Sequence, residues 1–251
     1  MSEHVDGSDG LGDVVQGEEP PAIRPDDRVI AIGMTGSGKS TILGNLWAAY
    51  PGQRLLIDVN DGYELGPASL DPETGGGCKC ENVAGIDWRA RSIHLVPRSH
   101  SQQAYDDLYA AIWERAGHGY GICVWLDEAY GPTTPNVAPR WLRAAITQGR
   151  KRRILHLAAT QEPVNVLPVL LSQANHMFCF QLGPRPDDLD RVARRFGWRG
   201  PELQHELAQL AQDEGRFGYL RQSLGEDPRV FAMPALDEAA LRFTRRHVLM
   251  P

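Results

Sequence analysis

A mostly parallel sheet flanked by helices, an α/β fold, is the class this chain predicts, and three observations predict it. From Arg28 onward, short apolar runs of strand length alternate with helical patterns, the rhythm of strand–helix–strand units. The first run, Val29 to Ile32, breaks into a glycine-rich turn, Gly33-Met34-Thr35-Gly36-Ser37-Gly38, and a helical pattern follows from Lys39. A later run, Ile122 to Leu126, ends on two adjacent carboxylates, Asp127 and Glu128. Open α/β folds bind ligands at that end of their strands.

Strands are expected at Val29–Ile32, Arg54–Asp58, Ser92–Val96, Ile122–Asp127, Ile154–Thr160 and His176–Leu182. Each is a short, nearly continuous apolar run, the pattern of a strand covered on both faces. Helices are expected near Lys39–Ala49, Gln102–Ala116, Pro139–Gln148, Pro186–Phe196 and Pro201–Gln212. Two late extended segments, Phe217–Gln222 and Arg229–Met233, read as an edge hairpin, and Leu236–Arg245 as a terminal helix. Residues 61–91 interrupt this rhythm with Gly75-Gly76-Gly77, prolines and Cys78-Lys79-Cys80, and so predict a surface insertion. The cysteine pair, with His94 or His100, is a weak zinc pattern, because structural zinc sites need four ligands in recognisable pairs.

The composition sets bounds on function. A chain of 251 residues, 42% hydrophobic and 23% charged, suits one domain over residues 28–251 rather than two. The first 27 residues carry Glu3, Asp6, Asp9, Asp13, Glu18, Glu19, Asp26 and Asp27 against Arg24, and lack apolar periodicity. They read as a disordered acidic tail. A net charge of −6 gives the whole molecule no attraction for nucleic acid, so any such contact needs a local basic patch or an assembled ring. Four cysteines without framework spacing, two of them (Cys123 and Cys179) within apolar runs, suit a reducing compartment. No apolar stretch approaches the roughly 20 residues of a membrane span. A cytoplasmic protein is expected.

The turn after the first strand is the pattern Gly-x-x-x-x-Gly-Lys-Ser of a P-loop, or Walker A motif, at Gly33 to Ser40. Its glycines let the backbone approach a polyphosphate, since no Cβ intervenes. Backbone N–H groups of Gly33, Thr35, Gly36, Ser37, Gly38, Lys39, Ser40 and Thr41 would then surround the phosphates of ATP at a helix N-terminus. Lys39 would reach the β- and γ-phosphates and the Ser40 hydroxyl would ligate Mg²⁺. Asp127 and Glu128 complete a Walker B element: Asp127 holds the Mg²⁺ shell, and Glu128 polarises the attacking water. That second acid favours hydrolysis over transfer by a small-molecule kinase.

Beyond Walker B come Gly149-Arg150-Lys151 and a strand ending in Thr160-Gln161-Glu162-Pro163. In that order with the P-loop and Asp127-Glu128, these pieces resemble the FtsK–HerA superfamily of DNA-pumping ATPases over about residues 28–196. Asp58-x-x-Asp61-Gly62-Tyr63 is similar, imperfectly, to that superfamily's aspartate-rich turn. The resemblance implies a RecA-like P-loop NTPase in which the Thr-Gln strand lies between the P-loop and Walker B strands. It implies that Gln161 senses the γ-phosphate and that Arg150 is a finger supplied to the neighbouring subunit, with Arg143, Arg152 and Arg153 as rivals; the run Arg150–Arg153 equally suits a solvated basic face or a DNA contact.

Without added domains, the chain looks most like the compact genome-packaging ATPases of membrane-containing icosahedral viruses. That likeness implies double-stranded DNA as partner, a homo-oligomeric ring of pentamer or hexamer size, a capsid or membrane-protein partner, and residence in host cytoplasm or virion. A plasmid or cellular DNA pump and a regulatory or partitioning NTPase acting through protein partners are the alternatives. The loop Gly131 to Asn136 is a candidate for pore contacts with DNA and equally for a structural turn.

Overall fold

The computed structural model describes residues 22–63, 77–117, 121–210, 218–225 and 228–232. Their strands are β1 (Arg28–Ile32), β2 (Gln53–Asp58), β3 (Cys78–Cys80), β4 (Ser92–Leu95), β5 (Ile122–Asp127), β6 (Ile154–Thr160), β7 (His176–Cys179), β8 (Gly218–Ser223) and β9 (Arg229–Ala232). They form one sheet in the order β3-β4-β2-β5-β6-β1-β7-β8-β9. The first seven pair in parallel; β8 pairs antiparallel to β7 and to β9. The expected mostly parallel sheet and its edge hairpin are thus observed.

Helices α1 (Lys39–Ala49), α2 (Gln102–Gly117), α3 (Arg140–Gln148), α4 (Pro168–Ser172), α5 (Pro186–Phe196) and α6 (Gly200–Gln209) cover the sheet. Every residue of β5 and β6 is buried, because apolar side chains leave both faces and each face has a cover. On one face Ile42, Leu43 and Trp47 of α1 pack with Val29, Ala31, Leu56, Trp125 and Leu157. On the other, a larger cluster joins Ile30, Ile57, Val124 and Ala158 to Leu108, Leu142, Val192 and Leu203 of α2, α3, α5 and α6. No helix of the described residues is long and apolar enough to cross a membrane.

Strand β6 sits between β5 and β1, with Ile32 opposite Thr160 and Leu126 opposite Ala158. That register brings the ends of three strands together: the turn at Gly33, the Asp127-Glu128 pair and Gln161. One position in the order decides the site.

The structure adds the short helix α4, which the sequence reading does not include, ends β7 at Cys179 rather than Leu182, and differs further at the insertion and before β1. Within the insertion 61–91, Cys78–Cys80 is an edge strand on β4, with Cys80, Ile86 and Ala90 buried. Three residues are too few to show strand periodicity, so pairing with β4 makes this strand. Residues 22–27, counted with the acidic tail, are held against the fold. The buried Asp27 carboxylate meets His176 Nε2 at 3.1 Å, and His156 N donates to Asp27 O at 3.0 Å. The remainder of the tail and the terminal helix at 236–245 lie outside the described residues.

Candidate active site

The glycine turn is shaped by its backbone. Gly36 and Gly38 stand at φ +77° and +105°, conformations that glycine adopts without a Cβ clash. At Gly33 contact decides instead: a Cβ there would lie 2.7 Å from Phe180 Cβ and 2.7 Å from Ser37 Oγ. Gly33 N donates to Thr160 O and Met34 N to Gln181 O, so the turn is tied to the strand ends on either side. The buried Lys39 ammonium donates to Gly33 O at 2.7 Å and Met34 O at 2.8 Å, bracing the turn from within.

These residues fit a polyphosphate. Helix α1 starts with Gly38 as N-cap, no side chain caps it, and no acid stands in its first turn. Leading N–H groups of a helix have no intrahelical acceptor, which leaves them to an anion. The buried Ser37 Oγ also has no hydrogen-bond partner among the described residues. Ser40 and the 2%-exposed Asp127 offer the hard oxygen donors that Mg²⁺ takes.

Glu128 follows Asp127 with φ +72°, an uncommon backbone for a residue with a Cβ. Ala129 N donating to Ala159 O at 2.7 Å holds that kink against β6. The glutamate is 3% exposed. Gln161 donates to it twice, from its backbone N to Oε1 (3.3 Å) and from Nε2 to Oε2 (3.1 Å). Burial pushes the Glu128 carboxyl above its ordinary range, while the Gln161 bonds and the Lys39 charge pull it partly back. Gln161 in turn accepts from Thr35 Oγ1 at 2.6 Å. A chain Thr35–Gln161–Glu128 therefore connects the glycine turn, β6 and the end of β5.

Asp58, level with Asp127 on the adjacent strand, is wholly buried. Its carboxylate accepts from Gly62 N and Tyr63 N and lies 3.0 Å from His94 Nε2. The aspartate-rich turn is thus built around Asp58, with Tyr63 edge-on to Trp125. His94 is engaged there and His100 with Tyr105, so neither joins Cys78 and Cys80. No group of three metal-ligating side chains occurs among the described residues. In the Gly131–Asn136 loop, Pro132 and Thr133 are buried, with Thr133 Oγ1 donating to Ala129 O, while Thr134 and Asn136 face solvent.

Arg150 does not join the other site residues. It lies in the turn after α3, before β6, whereas Gln161 follows that strand. Seven strand residues at about 3.3 Å each separate them by roughly 23 Å. Arg150 is half-exposed and donates from Nε to Asp26 Oδ2 at 3.2 Å. Among its rivals, Arg143 and Arg153 are exposed, while Arg152 bonds to Trp113 O and stacks over the Trp113 ring. Sequence reasoning missed the Thr35–Gln161 bond, which joins residues 126 positions apart. It also missed Asp26, whose only signal was an acid among acids.

The sheet order and the strand–glycine turn–helix at its centre define the fold of a P-loop NTPase. No protein-family model and no curated protein matches the chain. Solved structures do. The genome packaging NTPase B204 of Sulfolobus turreted icosahedral virus 2, in complex with ATP-gammaS, superposes with a TM-score of 0.62 at 15% identity, over 86% of this chain and 100% of that one. The DNA-packaging ATPase B204 of Sulfolobus turreted icosahedral virus gives 0.60 at 16%, with the same coverage. ATPases 2 and 3 of EssC from Geobacillus thermodenitrificans give 0.53 at 12%, over 86% of this chain and 42% of that one. These likenesses bear out the expected fold, that of a P-loop NTPase.

Proposed function

We propose that this protein hydrolyses ATP to drive DNA translocation, and that it packages double-stranded viral DNA into a preformed capsid. One observation carries the reading: β6 leads into Gln161, which sits between Thr35 and Glu128, and begins just after an exposed Arg150 that cannot reach its own site. An exposed arginine so far from its own P-loop is open to another copy, as a ring would supply, or to a DNA phosphate; the proposed function uses the first. Met34 and Tyr130, both 43% exposed beside the site, give a covering subunit apolar surface to pack against.

Backbone N–H groups of Thr35, Gly36, Gly38, Lys39 and Ser40 would cradle the phosphates, whereas those of Gly33, Ser37 and Thr41, expected to join them, are given to Thr160 O, Met34 O and Gly38 O. Lys39 would be drawn from Gly33 O and Met34 O toward the anion. Glu128 would take a proton from the attacking water, a role suited by a carboxyl tuned upward through burial. Gln161, bonded to both Glu128 and the glycine turn, would report the γ-phosphate to β6. Ser40 and Asp127 would hold Mg²⁺, which when bound neutralises phosphate charge as a Lewis acid. Arg150 of a neighbouring copy would add charge stabilisation at the γ-phosphate, an effect that reaches ~10³-fold in rate or more.

The test is steady-state ATPase rate against protein concentration, with and without long double-stranded DNA. Specific activity is expected to rise with both. Arg150→Ala should bind ATP nearly normally, hydrolyse poorly, and regain turnover when mixed with Lys39→Ala. Mixed oligomers that form and stay inactive would remove Arg150 from the trans site. A rate indifferent to DNA but raised by a protein partner would favour a regulatory NTPase.

A further inference from the structure

The acid that holds Arg150 is itself held. Residues Arg24 to Asp27 form a turn in which Asp27 N donates to Arg24 O (3.1 Å) and Arg24 N to Asp27 Oδ2 (2.7 Å). Asp27 Oδ2 lies 3.1 Å from His176 Nε2, and His176 Nδ1 is 3.2 Å from an Arg221 Nη2 and 2.9 Å from Ser223 Oγ. Arg221 has only donors, so Nδ1 accepts and Nε2–H is left to donate to Asp27. Asp27 O also accepts from His156 N. The turn is thereby pinned to β6, β7 and β8, and Asp26 sits at its tip.

From that tip Asp26 Oδ2 accepts from Arg150 Nε at 3.2 Å, with side-chain exposures of 27% and 56%. The contact is to the side of the guanidinium. No described hydrogen bond uses either Nη group of Arg150, so the planar fork that matches a phosphate geometrically is left for another partner. Asp26 also faces a second arginine: its charge and that of Arg150 act in opposite senses on Arg28. Arg28 is anchored to Asn175, Ile146 O and Gln173. Without Asp26, Arg150 would lose its one described side-chain tether, and of the two carboxylates that offset its charge at Arg28 only Asp27 would remain.

We propose that Asp26 is a positioning residue for Arg150, aiming its Nη fork outward toward the neighbouring subunit's nucleotide. This rests on the trans role of Arg150 given above. The residue acts from the segment just before β1, in a stretch whose composition reads as a solvated tail.

An exposed ion pair contributes little to stability, so Asp26→Ala should fold, as thermal melting within about 2 °C of wild type would verify. Its turnover at saturating ATP is expected to fall about five-fold, with KM for ATP unchanged because its own P-loop is untouched. Asp26→Glu should recover most of the rate. Mixing Asp26→Ala with Lys39→Ala should restore turnover, as for Arg150→Ala. The double variant Asp26→Ala/Arg150→Ala should be no slower than Arg150→Ala alone, since both lesions act through one guanidinium. A purely structural role would instead add the two losses and show no rescue. Asp26→Ala at or above the wild-type rate, beside an impaired Arg150→Ala, overturns the positioning role alone. An unimpaired Arg150→Ala overturns the trans reading and the positioning role with it.

Discussion

The two edges of the sheet handle charge in opposite ways. At the edge where the parallel strands end, Lys39, Asp127 and Glu128 are all buried, and the structure supplies Lys39 with two loop carbonyls and Glu128 with two donors from Gln161. At the edge where they begin, Arg150 is half in solvent and tethered through Nε. Burial makes a charge costly unless its partners are fixed beforehand, and such fixed partners are what a reacting phosphate needs. Exposure leaves a charge inexpensive and able to reach a different molecule. On the function proposed above, the first edge serves its own ligand and the second a neighbour's.

The largest test of that contrast is nucleotide affinity. Lys39→Ala should weaken ATP binding and slow turnover by ~10²–10³-fold or more, as for a lost buried donor. Arg150→Ala should leave affinity, measured by fluorescent-nucleotide titration, within about two-fold of wild type. Equal losses would mean the edges are not functionally distinct.

Glu128→Gln sharpens the comparison within the first edge. It should retain ATP and hydrolyse it ~10²–10⁴-fold more slowly, having lost the base. Burial raises the folded-state pKa of Glu128 above its unfolded value. The group's contribution to stability is therefore most favourable below the unfolded pKa of about 4.3 and is lost as pH rises through the folded value. The glutamine variant should accordingly melt higher than wild type at neutral pH, with the gain vanishing below about pH 4. A lower melting temperature at neutral pH would show that the ionised carboxylate is stabilising where it stands. By the same shift, wild-type turnover should decline on acidification from a higher pH than an ordinary carboxylate would set.

The smallest effect lies within β6. His156, opposite Arg28 in the register, is fully buried with Nε2 3.0 Å from the Tyr109 hydroxyl. Burial, and next the Arg28 charge, push its pKa down to about 4. A depressed histidine is neutral in the fold while the unfolded chain takes up a proton below about pH 6.5. Stability should therefore fall by about 1 kcal/mol between pH 6.5 and 5.5, opposite in sign to Glu128. Urea unfolding of wild type and His156→Gln at the two pH values checks this; an equal drop in both would place the acid sensitivity elsewhere.

Much of the first edge was legible because its chemistry demands particular residues in contiguous order. Val29 to Thr41 announces a strand, a glycine turn and a lysine, and Ile122 to Glu128 a strand and two acids, each over a short contiguous stretch. Gln161 was reached only through the resemblance, since a glutamine after an apolar run says nothing alone. The edge strand Cys78–Cys80 escaped notice because its identity comes from β4. Asp27 was read as solvated because its neighbours are acidic; its burial depends on His176, 149 positions away.

From the sequence by itself came the alternation of strands and helices, the phosphate-cradling turn and the paired acids, because local periodicity and backbone-shaping glycines act over a few residues. That β6 lies between β5 and β1 was implied by the resemblance and is observed; only the tertiary structure decided that Thr35, Gln161 and Glu128 form one bonded chain and that Asp26 meets Arg150. Each of those depends on strand order and on burial shared between distant segments. A hydrogen bond between residues more than a hundred positions apart leaves no trace in either neighbourhood until the sheet has set their register.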